Sequence, residues 1–223
     1  VTDAKTPTRA AQIHDFVRSD ILRGELAPGT PLRLAALAAR YDASPSVVRE
    51  ALGRLAENNL AVLVPNQGFR VVEASRADLI ALTDLRVMIE CEALRRSIAH
   101  GDVQWEAAVV SAHHVLERAT FMLGDSPGST EEWSRAHAEF HVALVSACDN
   151  PRMLALTNSL RDGAEIYRQL GVNSDFEELS ERNIPCEHRE LMELSTARDH
   201  RAVDALARHI QRTTDDLLTA GAL

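Results

Sequence analysis

The stretch Ser44–Asn59, S-P-S-V-V-R-E-A-L-G-R-L-A-E-N-N, narrows the choice of fold more than any other. Ser44 suits a helix N-cap and Pro45 the first helical position. Val47, Val48, Ala51, Leu52 and Leu55 then form one apolar stripe at helical spacing, and Ser46, Arg49, Glu50 and Gly53 take the other face. Such a helix is buried on one side. Its exposed side carries small hydroxyls and an arginine near the start, where a helix lying in a major groove meets base edges and phosphate. Taken alone, the stretch reads first as an ordinary amphipathic helix with Arg49 and Glu50 on the surface. Its neighbours decide.

Residues 8–26 read as a helix with Ile13, Phe16, Val17 and Ile21 on one face, closed by Pro28-Gly29. A short helix over 33–41 turns Leu34, Leu37 and Tyr41 inward. Asp42-Ala43 is a tight link into the third helix, and aspartate tolerates the left-handed conformation a sharp turn needs. Three helices with this turn make a helix-turn-helix. After Asn59 the period changes. Residues 61–64 and 69–72 are short β-prone runs around Pro65-Asn66-Gln67-Gly68, a hairpin loop. The sequence therefore predicts a winged helix, its tip against the DNA backbone, with Gly68 allowing close approach and Arg70 nearby.

A chain of 223 residues is long enough for two domains. Aromatic residues are 4% of the total, which favours packed helices over sheet. The net charge of −9 is uneven: residues 1–74 hold nine Lys/Arg against eight Asp/Glu, and residues 75–223 hold 15 against 25. The acidic second part is unsuited to nucleic acid, whereas the first can present a local positive face. There is no apolar run of membrane-spanning length and no secretory pattern at the start. Cys91, Cys148 and Cys186 are odd in number and far apart, as expected of reduced thiols in a cytoplasmic protein.

Beyond the polar link Glu73-Ala74-Ser75 the chain reads as helices throughout. The first is expected at 76–99, with Leu79, Leu82, Leu85, Ile89 and Ala93 inward. Others follow at 102–123, 130–148, 151–170, 178–197 and 199–220, with a loop over 124–129. Pro151 fits a helix start and Gly171 a helix end, and Pro185 should kink or delay its helix. The expected architecture is mainly α: a winged helix-turn-helix with a small β-hairpin wing over 1–74, then an all-α bundle over 75–223.

Histidines carry the chemistry of the second part. His137 and His141 are four apart, so both rings leave one helix face and can share a metal ion. Further ligands must come from other helices, and His188 and His209, each in an apolar-periodic segment, are the candidates. An H-x-x-x-H pair is also what a hydrogen-bonded core or surface pair looks like, and spacing alone leaves both readings open. His14, His100, His113, His114 and His200 fall near helix ends or on polar faces and read as structural.

Two stretches carry a resemblance. G-T-P-L-R-L-A-A-L-A-A-R-Y-D-A-S-P-S-V-V-R-E-A-L-G-R-L-A-E-N-N-L, closed by N-Q-G-F-R-V, resembles the DNA-binding domain of GntR-type bacterial transcription regulators. The V-R-E-A-L-x-x-L core at 48–55 is its most specific part. The resemblance implies DNA contacts from Arg49 and from the hydroxyls of Ser44 and Ser46, and leaves Arg9, Arg33 and Arg70 as phosphate candidates. Pro45 stands where the family usually has a basic residue, Val47 where proline is frequent, and Asp42 where glycine is common.

The segment W-S-R-A-H-A-E-F-H-V-A-L-V-S-A-C-D-N-P, followed by E-H-R-E-L-M-E-L and A-L-A-R-H-I, resembles the FCD ligand-sensing domain of the FadR-type branch. That domain is an all-α bundle, many members of which hold a divalent metal through one Asp and three His. The resemblance implies His141, His188 and His209 as ligands and puts His137 at the aspartate position. Four neutral imidazoles suit zinc, nickel or copper better than magnesium, calcium or manganese. The resemblance also implies a small carboxylate effector beside the metal, with Arg86 a candidate partner and Arg161, Tyr167 and Asn183 weaker ones. Arg86 is equally placed for an i, i+4 pair with Glu90. The sequence thus points to a homodimeric regulator of a pseudo-palindromic operator, not an enzyme. The competing reading is a metal-dependent hydrolase built on the histidines, but there is no H-E-x-x-H, and Glu139 points off their face.

Overall fold

The computed structural model, which describes residues 7–121, 130–172 and 182–219, divides between Ala74 and Ser75. The first unit holds α1 (Arg9–Leu22), β1 (Pro31–Leu32), α2 (Leu34–Arg40), α3 (Pro45–Glu57), β2 (Ala61–Val64) and β3 (Gly68–Val71). Ser44 caps α3, its hydroxyl accepting from Val47 N at 3.4 Å. The stripe Val48, Ala51, Leu52 and Leu55 is fully buried against Ile13, Val17 and Ile21 of α1. Each of these larger side chains contributes roughly 1.5–3 kcal/mol by leaving water. α1 ends earlier than the periodicity suggests, before Gly24, whose φ is 75°. Phe16 does not join the core. It is half exposed and stacks on Tyr41, ring centroids 5.8 Å apart. Asp42 adopts φ 47°, the left-handed turn expected between α2 and α3.

β2 and β3 pair antiparallel from Ala61↔Val71 to Val64↔Gly68, which is the wing. The sheet has a third strand that the sequence did not announce. β1 pairs with β3 through Pro31↔Arg70 and Leu32↔Phe69, giving the order β1-β3-β2. Two residues are too few to show a period, so only the pairing reveals them.

The second unit holds α4 (Arg76–His100), α5 (Val103–Arg118), α6 (Glu131–Val145), α7 (Pro151–Val172), α8 (Ile184–Thr196) and α9 (Arg201–Thr219). α4 packs on α7 and α9, α5 on α6 and α8, and α8 on α9. Phe140, Leu94, Leu144, Leu191, Leu206 and Ile210 form the centre of the core. Side chains cap the helices: Ser75 accepts from Asp78 N, Asp102 from Trp105 N and Thr130 from Trp133 N. Pro185 delays its helix, which starts at Ile184. The loop expected over 124–129 and the helical residues expected at 122–123, 178–181 and 220 lie outside the described residues. Two placements differ from expectation. Leu85 is about half exposed, because α4 is apolar on two sides and packing buries the one that carries Thr83, Glu90 and Leu94. His113 is buried in α5, not on a polar face. Among the described residues no helix is long and apolar enough to cross a membrane.

Candidate nucleic-acid interface and metal centre

The outward face of α3 presents Ser44, Ser46 and Arg49, all exposed. The two serine hydroxyls lie 2.9 Å apart at the helix start. Glu50 is turned to Arg54, which donates to it at 2.7 Å. A Cβ at Gly53 would meet nothing within 4 Å, so the face is unobstructed beyond Arg49. With the helix N-terminus, this gives a positive end, two hydroxyls and a guanidinium on one surface. Arg33 precedes α2, exposed. Arg9 and Arg70 are engaged inside the unit. Arg9 Nη2 donates to the carbonyls of Tyr41 and Asp42, at 2.5 and 3.3 Å, clasping the turn before α3. Arg70 Nη1 donates to the Gly29 carbonyl at 2.9 Å, and Nη2 to Gln67 at 3.2 Å. Both therefore fasten the turn and the wing; Gly68, at φ 85°, lets the wing tip reverse.

The four histidines converge. His137 and His141 leave α6 one turn apart, His188 comes from α8 and His209 from α9. Each offers one nitrogen, and the four nitrogens lie within 4.8 Å of one another. Ring centroids are 4.6 Å apart for His137–His141, 5.3 Å for His141–His209 and 4.9 Å for His188–His209. Nitrogens on a tetrahedral zinc would stand about 3.4 Å apart, so small ring rotations would close the set. Burial, reinforced by the neighbouring imidazoles, holds His137, His141 and His188 well below the ordinary histidine range, so they are neutral. Neutral imidazole is the ligating form. The Nε2 atoms of His141 and His188 are buried and have no hydrogen-bond partner among the described residues. Buried polar atoms are rarely left so unless an ion or water completes them.

Residues that sequence reasoning did not single out support the cluster. Glu187 Oε2 lies 2.8 Å from His209 Nδ1. A carboxylate there fixes the tautomer and directs Nε2 inward, the usual outer partner of a ligating histidine. Burial alone would raise the Glu187 carboxyl, but hydrogen bonds from His209 and Arg182 hold it well below the carboxylate range. The E-H order at 187–188 was the available signal. Trp133 stacks on His137 at 4.7 Å, with Phe121 set edge-on to its ring. Beside the cluster a cavity of about 370 Å³ opens, walled by His113, Leu116, Phe121, Trp133, Pro185 and His188 among others.

The expected effector partners separate. Arg86 Nε donates to Glu90 at 2.7 Å, the i, i+4 pair, and Arg161 Nε donates to the other carboxylate oxygen at 3.1 Å. Glu90 is almost completely buried. Burial would raise its carboxyl, but the two guanidinium groups outweigh that and hold it low. Arg161 is left with both Nη atoms buried and without partners among the described residues. Tyr167 and Asn183 stand at helix ends. The Tyr167 hydroxyl donates to Asp78 at 2.6 Å and faces the Ser75 backbone at the start of α4, and Asn183 caps α8 through Cys186 N. Asn150 shapes the start of α7, accepting from Arg152 N and Met153 N.

Residues 9–71 match the family described as "Bacterial regulatory proteins, gntR family", and residues 81–212 match the FCD domain. The chain belongs to the GntR family. In this GntR-family regulator the FCD match spans all four clustered histidines. The chain is 37% identical to the HTH-type transcriptional regulator BphR of Paraburkholderia xenovorans, over 87% of this chain and 79% of that one. It is 32% identical to the HTH-type transcriptional repressor GlaR of Escherichia coli, over 69% of each. Escherichia coli McbR/YncC shares the fold, with a TM-score of 0.76 at 21% identity over 96% of this chain and 99% of that one. The chain is thus a transcription regulator with a helix-turn-helix and an FCD effector-binding domain, and not an enzyme. That excludes the hydrolase reading, and Glu139 is exposed on α6.

Proposed function

We propose that residues 1–74 read a pseudo-palindromic operator as half of a homodimer, and that residues 75–223 bind a divalent metal and a small carboxylate effector that sets operator affinity. The reading places the chain in the FadR-like branch, in the cytoplasm. Ser44, Ser46 and Arg49 read the major groove, with Arg33 on phosphate; Gly68 and Arg70 bring the wing to the backbone, and Arg9 steadies the turn. Two half-sites need two recognition helices. α4 supports self-association, since Ile80, Leu85 and Met88 lie exposed along one side of it and Leu156 is exposed on α7.

The observation that carries the sensing role is the pair of orphaned Nε2 atoms on His141 and His188, facing His137 and His209 in a buried cluster. The residues present fit a metal. His137, His141, His188 and His209 would hold it, zinc best and nickel next, because four neutral nitrogens favour borderline ions over hard ones. Bound there, the ion supplies a positive centre for a carboxylate. Arg161, with its two unpartnered Nη atoms, is the guanidinium that remains available to the same group; Arg86 serves mainly to hold Glu90. The effector acts by binding one arrangement of the bundle better than another and so shifting the population that fits the operator.

The test is selection of bound sequences from random DNA by the full chain, with and without zinc and a panel of carboxylates. A symmetric, spaced motif whose recovery changes with effector is expected. Recovery of no motif would refute the regulator reading, and a protein that takes up neither zinc nor nickel would refute the metal centre.

A further inference from the structure

We propose that the effector of this regulator is an aromatic monocarboxylate, its ring seated in the cavity beside His188 and its carboxylate at the histidine cluster. The inference rests on the sensing role above and names the ligand class.

Three features of the cavity carry it. Its volume, about 370 Å³, is in the range of small-molecule sites. Its walls are mainly apolar and aromatic: Leu116, Phe121, Trp133, Ile184 and Pro185. Phe121 meets Trp133 at 90° and Trp133 lies flat on His137, so the ring system runs from the cavity wall to the cluster without a break. Aromatic walls favour a flat ring through stacked and edge-on contacts.

The charges at the wall are already matched. Glu117 is held by Arg189, and Arg182 by Glu187 and by Asp216 at 2.8 Å. A second carboxylate on the ligand would find no uncompensated cation among the described residues of the wall. A hydroxyl-rich body would lose water and meet mostly carbon, which costs affinity. His113 is buried, and burial lowers its basicity, so it too faces the cavity neutral. Among the described residues that line the cavity, the negative end of the ligand has its match toward the cluster, which His188 joins to the cavity. A neutral flat body with one acid group fits both ends.

The test uses the full chain loaded with zinc, after its zinc content has been measured. Calorimetric titration with phenylacetate, benzoate, propionate, succinate and gluconate should show an aromatic acid binding at least about tenfold tighter than propionate, since ring burial alone supplies that factor. Trp133 fluorescence should respond, whereas Trp105, buried with its indole N–H on the Ala143 carbonyl, should not. Ala119→Phe fills the cavity from a position whose φ of −69° and ψ of 133° suit any residue. It should remove the aromatic preference and leave zinc content unchanged. Propionate, succinate or gluconate binding as tightly as the aromatic acids, no binding by any of the five, or an undiminished preference in Ala119→Phe would overturn the inference. A wild-type chain that takes up no zinc instead overturns the metal centre, and the aromatic preference is then read on the metal-free chain.

Discussion

Replacing Glu90 with glutamine tests what balances charge inside the bundle. Glu90 is 1% exposed, and the two arginines that donate to it are 13% and 11% exposed. Glutamine keeps the shape but offers a single carbonyl oxygen to two Nε donors and turns its own N–H toward one guanidinium. Each hydrogen bond to a charged group is worth ~1.5–3 kcal/mol. Removing one partner of a buried ion pair costs ~3–5 kcal/mol. The two routes agree on a loss of about 3–5 kcal/mol. For a domain of about 150 residues that lowers the melting temperature by roughly 6–20 °C. The measurement is urea and thermal unfolding of the metal-free protein at neutral pH, so that bound metal does not mask the change. Arg161→Met should lose far less, because Glu90 keeps Arg86 and a guanidinium with two unpartnered Nη atoms leaves the core. Combined with Glu90→Gln it should recover part of the loss. A drop below about 1 kcal/mol for Glu90→Gln, an ordinary surface-scale effect, would show that the Arg86–Glu90–Arg161 triad does not hold α4 to α7.

Arg49→Ala should weaken operator binding by roughly 1–3 kcal/mol if Arg49 reads a base, and wild-type binding should fall steeply with salt; fluorescence anisotropy at several salt concentrations measures both, and equal affinity would contradict the docking. His141→Ala should weaken zinc uptake more than His137→Asp, which should keep a metal and shift preference toward manganese; competition titration with elemental analysis decides, and an unchanged preference would count against His137 as a ligand. Metal-free protein should lose stability in mild acid. Burial holds the folded His137, His141 and His188 low, so below about pH 6.5 the unfolded chain takes up protons that the folded one refuses, while above it both are neutral. Glu90, also held low, withdraws its contribution only in stronger acid, as pH falls through the carboxylate range. Urea midpoints that stay flat from pH 8 to about pH 5 would contradict this.

What the sequence determined by itself is what covalent spacing determines. The α3 stripe, its serine cap, the left-handed Asp42 and the β2–β3 hairpin are local patterns, and their geometry follows from a few residues' own sterics and hydrogen bonds. His137 and His141 share a face because a helix repeats every 3.6 residues, whatever surrounds it. The arrival of His188 and His209 at the same point is a tertiary fact: their apolar-periodic segments made them candidates and the order of family motifs implied them, but helix geometry alone could not bring them to His137 and His141. Only packing decided the rest. α4 is apolar on two sides, and the contacts with α7 and α9 chose to bury Glu90 and to leave Leu85 outside. Arg86 and Arg161 became core residues because a buried carboxylate lay between them, and that depends on two helices far apart in the chain meeting at one height. Glu187 behind His209, Trp133 against His137 and the burial of His113 belong to the same class. Propensity ranks what a segment prefers locally; which charges end up opposed in low dielectric is set by the neighbours that exclude water from them.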